Sequence, residues 1–118
     1  MTKKIIKILS VALFTFNIVY SQAPGIEWQK CYGGSGSDIC YCIQATNDDG
    51  SVACGRTGSV DGDVSVTPHG TGDFWIVKLD ASGTISWEKS LVGNNGETAY
   101  NIQQTVDGVY SCRKHTLK

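Results

Sequence analysis

The sequence predicts an all-β protein made of repeated, antiparallel four-stranded sheets. Three observations lead there. First, part of the chain is read twice at a 59-residue spacing: Trp28, Lys30, Gly34, Tyr41, Ile43, Gln44, Thr46, Asp48 and Thr57 fall on Trp87, Lys89, Gly93, Tyr100, Ile102, Gln103, Thr105, Asp107 and Thr116, with Asp38 over Glu97 as a conservative match. A repeat of this length is one supersecondary unit that buries its apolar face by stacking on copies of itself. Second, apolar residues alternate at a period of two, and no stretch of ten or more residues has helical periodicity. Third, short clusters of Gly, Asp, Asn and Ser punctuate the runs at hairpin spacing.

Each element follows from these signals. Ile39, Tyr41, Ile43 and Ala45 alternate with Cys40, Cys42, Gln44 and Thr46, the pattern of a strand with two different faces. Asn47-Asp48-Asp49-Gly50 turns the chain into a short return strand, Ser51 to Gly55. A loop rich in glycine and aspartate runs from Thr57 to Gly72. Phe74 to Leu79 (FWIVKL) is the most apolar run and suits a strand buried on both faces. Asp80-Ala81-Ser82-Gly83 makes a second hairpin turn into Thr84 to Leu91, and Thr98 to Thr105 with Tyr110 onward begins the first hairpin again. Four short strands per repeat, joined by tight turns, are what one blade of a β-propeller requires. Residues 39–91 are then a full blade and 98–118 a partial one. Residues 27–31 (EWQKC) match the fourth strand of the unit and are expected to close the ring by pairing into its last blade.

The first residues are an address. Lys3, Lys4 and Lys7 precede an apolar stretch from Ile8 to Tyr20, and Val19-Tyr20-Ser21 offers a cleavage site before Gln22. That stretch is 13 residues long and interrupted by Ser10, Thr15 and Asn17, whereas a membrane span needs about 20 apolar residues. Residues 1–21 are therefore expected to be a signal peptide cleaved near Ser21, leaving 22–118 secreted or at the outer cell surface with no membrane span. Without the leader, seven basic residues face eleven acidic ones, and three of the seven (Arg113, Lys114, Lys118) crowd the end of the chain. No basic face remains to neutralise phosphates, which argues against a nucleic-acid partner.

The runs Trp28 to Ser35 (WQKCYGGS), Ile43 to Gly50 (IQATNDDG), Gly58 to Val64 (GSVDGDV) and Gly72 to Asp80 (GDFWIVKLD) resemble the β-propeller repeats of secreted and surface proteins of the Bacteroidetes group. The resemblance covers nearly all of residues 27–112, and the DFWIVKLD run with its flanking tryptophans is its most specific part. Proteins of that family often end in a C-terminal sorting domain read by the type IX secretion system, and most have no assigned activity. They carry many units. Here the second copy departs from the first where Ser51-Val52-Ala53-Cys54-Gly55 becomes Tyr110-Ser111-Cys112-Arg113-Lys114. The resemblance implies a truncated slice of a larger propeller. A unit and a half leaves sheet faces bare and strand edges unpaired, so 22–118 is expected to be marginally stable or to self-associate through those edges.

Candidate sites are few. Cys40 and Cys42 are expected on one face of their strand, badly placed to pair with each other. A disulfide among Cys31, Cys40, Cys42 and Cys54 competes with the reading that all five cysteines are small buried hydrophobes, and a zinc site has little support. Asp61-Gly62-Asp63 carries hard oxygen ligands suited to calcium, but it lacks the further ligands of a calcium loop and reads as a turn. Gly33-Gly34-Ser35-Gly36-Ser37-Asp38 resembles a phosphate cradle, yet it leads into a strand and not a helix. No GxSxG or HExxH occurs, and neither His69 nor His115 has an obvious catalytic partner in the sequence. Trp28, Trp75 and Trp87 read as core packing before sugar stacking. No catalytic, cofactor-binding or metal residue is assigned, and no cofactor is expected. The expected function is a non-catalytic secreted or surface module with a structural or binding role. The alternatives are the propeller portion of an extracellular carbohydrate-directed enzyme, or a non-functional truncated product.

Overall fold

The computed structural model describes residues 22–67, 69, 72–91 and 98–115, so the leader expected over 1–21 lies outside the described residues, as do the side chains of Lys114 and His115. The described chain is all-β. β1 (Asp38–Ala45), β2 (Ser51–Thr57), β3 (Asp73–Leu79) and β4 (Ile85–Leu91) form a four-stranded antiparallel sheet in chain order. β5 (Thr98–Gln104) and β6 (Tyr110–His115) form a separate two-stranded sheet. Neither sheet closes on itself. Residues 27–31, expected as a ring-closing strand, carry no ladder.

One turn design serves all three tight hairpins. The amides of Thr46, Asp80 and Thr105 donate to the carbonyls of Gly50, Thr84 and Val109, each four residues on. The fourth residue of each turn is left-handed: Asp49 (φ 60°), Gly83 (φ 76°) and Gly108 (φ 83°). Two of the three positions use glycine, which reaches that conformation without a steric penalty. Asp49 does it with a Cβ. Side-chain acceptors close the same turns, the Thr46 hydroxyl donating to Asp48 and the Thr105 hydroxyl to Asp107. Hydrogen bonds from Thr46 and then Lys78 hold the Asp48 carboxyl well below the usual carboxylate range.

The two units share an irregularity as well. In β1, Cys40 lies opposite Gly55 and Cys42 opposite Cys54, so Tyr41 is an extra residue and the strand bulges. In β5, Ala99 lies opposite Lys114 and Asn101 opposite Arg113, so Tyr100 is the extra residue. The bulge overturns the expectation that Cys40 and Cys42 share a face: inserting one residue reverses the alternation, and the two thiols belong to opposite sides of the sheet. The rings of Tyr41 and Tyr100 meet at 4.8 Å between centroids, so equivalent residues of successive units touch.

Both faces of β3 are buried along its whole length, as the run FWIVKL predicts. On one side, Val52, Cys54, Phe74 and Ile76 pack against Ala99 and Ile102 of β5, with Cys42, Trp87, Tyr110 and Cys112 at the margin. Trp87 meets Tyr110 edge-on at 5.4 Å. This is a seam between stacked sheets. On the other side, Trp75, Val77 and Leu79 pack with Val64, Val66, Ile85 and Tyr32, which come from the β2–β3 loop, β4 and the N-terminal segment. Buried Lys78 lies at the end of the seam, where its ammonium pairs with Asp48 at 2.9 Å and donates to the Leu79 carbonyl at 2.8 Å.

Candidate functional site

Two places among the described residues have the build of a site. The first is the glycine loop before β1. Its four successive amides, Gly33 to Gly36, donate to Asp63 (3.2 Å), Asp38 (2.8 Å), Asp61 (2.7 Å) and the Ser59 hydroxyl (2.9 Å). A run of amides converging on anions is the chemistry of a phosphate cradle, and here the protein's own carboxylates fill it. Asp38 is the hub, because it also accepts the hydroxyls of Thr57 (2.5 Å) and Ser59 (2.6 Å). Burial alone would raise its carboxyl. Hydrogen bonds from Ser59, Thr57, Gly34 and Gly58 outweigh that and hold it below its ordinary value. The amide and hydroxyl of Ser35 likewise lower Asp61.

This arrangement accounts for Asp61 and Asp63 as loop clamps, with Gly62 (φ 68°) turning the chain between them. Among the described residues, no group of three or more His, Cys, Asp and Glu side chains converges as a metal site. The role of Asp38 is one that sequence reasoning missed. The signal was present: Asp38 and Thr57 both recur in the second copy, as Glu97 and Thr116, and the two interact.

The second place is the open half of the outer sheet face. A groove of about 320 Å³ is lined by Ile39, Cys40, Ile43, Ala53, Gly55 and Val77, with Trp28 along one wall. The N-terminal segment covers the far half of this face. Tyr32 and Lys30 donate to the Gly83 carbonyl, and the Trp28 ring lies so close to Gly83 that a Cβ there would come within 2.7 Å of it. Burial first, and then the Asp63 and Asp80 carboxylates, raise the Tyr32 phenol. Nothing among the described residues covers the β1 half, where Ile43 is 58% exposed.

The groove is the same face of the first unit that the second unit buries. Ala99 and Ile102 stand in the repeat where Cys40 and Ile43 stand, and both are fully buried against the first sheet. The outward face of β5–β6, by contrast, is polar: Asn101, Gln103, Ser111 and Arg113 are all exposed.

The tryptophans divide between these environments. Trp75 is buried, its indole N–H donating to Glu88 at 2.6 Å, and Trp87 borders the seam. Trp28 is the exposed member, although the repeat pairs it with Trp87. Glu88 also accepts the Ser65 amide at 2.7 Å, which ties the long loop to β4. The His69 amide donates to Asp73 at 2.6 Å. Compared with protein-family models, curated proteins and solved structures, the chain matches none.

Proposed function

We propose that this chain is a secreted or cell-surface module of β-propeller repeats whose role is structural or binding, not catalytic. The observation that carries the reading is the seam: successive units stack face to face, equivalent tyrosines touch, and the bulge and turn recur at the same repeat positions. Stacking of this kind propagates from unit to unit and leaves a complementary apolar face at the start of the stack. The groove at Ile43 is that face, and with the free edges of β1 and β4 it is the surface on which a further unit, or another copy of the chain, would assemble. The carboxylates nearest to a site are committed to backbone amides, which leaves them poorly placed as general acids or bases.

Two experiments test this. Chains carrying increasing numbers of tandem copies of residues 38–96, one 59-residue period, are examined by small-angle scattering and thermal unfolding. A propeller has a copy number at which stability rises sharply and the radius of gyration stops growing. Steady elongation with each added copy rejects the ring. Mass spectrometry of the full chain expressed in a Gram-negative host tests the location: a mature product beginning at Gln22, in the medium or on the surface, is the expected result. An uncleaved cytoplasmic product rejects secretion.

A further inference from the structure

The seam holds a pair of thiols that the strand register sets directly against each other. Cys42 of β1 and Cys54 of β2 are ladder partners, and both belong to the cluster that packs against β5. Opposed residues of an antiparallel ladder have Cα atoms about 4.5–5.5 Å apart, inside the roughly 4.4–6.8 Å that a disulfide spans. The two thiols also point the same way: Cys42 Sγ lies 4.0 Å from the Ile102 carbonyl and Cys54 Sγ 3.8 Å from that of Ala99.

The other three cysteines are placed differently. Cys31 and Cys40 are exposed, and the bulge puts Cys40 on the far face of the sheet. Cys112 sits on β6 across the seam, opposite Ile102, and packed sheets lie about 10 Å apart where paired strands lie about 4.8 Å apart. The second unit has Asn101 opposite Arg113 at the equivalent pair, so the bridge would belong to the first unit alone.

We infer that Cys42 and Cys54 are a disulfide site, closed by thiol–disulfide exchange across β1 and β2. Cys42, the less buried of the two, attacks a small or protein disulfide and releases one thiol. Cys54 then displaces the second, forming the Sγ–Sγ bond. Two S–H bonds break, the two electrons reduce the oxidant's S–S bond, and the two protons end on its thiols. Burial, and then the neighbouring cysteines, push the Cys54 thiol up to about 12. It is a poor nucleophile once β5 covers it, so the bond closes before the seam does.

The test is refolding of the full chain in reduced and oxidised glutathione, which is independent of where the chain resides. Free thiols are alkylated without reduction, and the protein is cut with an endoproteinase at Asp48 and Asp49 and mapped by mass spectrometry. The expected product links the Cys42 and Cys54 peptides, with Cys31, Cys40 and Cys112 alkylated. The bridge persists in Cys112→Ser and is lost in Cys42→Ser. Adding reductant lowers the melting temperature by roughly 10 °C in the parent chain and leaves Cys42→Ser unmoved. Alkylated Cys42 and Cys54 in the oxidised product, a Cys54–Cys112 link, or equal melting with and without reductant in the parent chain would overturn the assignment.

Discussion

Ile43 and Ile102 occupy the same position of the repeat, three residues after the start of an equivalent bulge, yet Ile43 is 58% exposed and Ile102 fully buried. The residue type and the bulge before it are the same in both places. What differs is the neighbour, because the second unit has a sheet to lie on and the first has none on that side among the described residues. In a stack, a side chain's contribution is set by the interface it enters more than by the unit it belongs to.

That comparison can be broken most directly by truncating both residues. Ile102→Ala leaves a void in the seam and is expected to cost about 3 kcal/mol in denaturant unfolding. Ile43→Ala is expected to cost under about 1 kcal/mol, since little of that side chain leaves water. Equal losses would mean that the groove is covered in solution by another copy, which sedimentation at several concentrations would then detect.

Gly55→Ala probes the bulge of the first unit. A Cβ there would lie 1.8 Å from the Ile39 carbonyl, so the β1–β2 pairing must open, at a cost of about 2 kcal/mol. Lys114 stands at the equivalent position of the second unit. A harmless Gly55→Ala would show that both bulges tolerate a side chain equally.

Asp38→Asn tests the clamp on the glycine loop. The folded Asp38 carboxyl is held below its unfolded value, so its contribution is present above about pH 4 and is lost as the pH falls through the folded pKa. The variant is expected to melt several degrees lower at pH 7, with a smaller difference at pH 3. A constant difference across that range would assign the loss to packing.

The smallest expected effect is a gain. Asp49 holds the left-handed conformation that Gly108 holds in the second unit. Asp49→Gly relieves the Cβ strain but adds freedom to the unfolded chain, for a net stabilisation of about 0.5 kcal/mol. A loss in the same measurement would show that the Asp49 side chain helps to close the turn.

The sequence by itself determined where the strands and turns lie. β1 to β4 span residues 38–91, almost as the alternation and turn residues place them, and β5 and β6 follow from the repeat. These signals are local: a period of two, a β-branched run, a glycine or aspartate at a turn. The tertiary structure decided what those signals could not carry. One extra residue at Tyr41 reversed the faces of Cys40 and Cys42, because a period-two pattern has no memory across an insertion. Which face of the sheet became a seam and which stayed open depended on where β5 came to lie. The carboxylates of Asp38, Asp61 and Asp63 reached the Gly33–Ser35 amides across as many as 30 residues of chain, a pairing set by how the loops meet in space and by the need of amides to find acceptors.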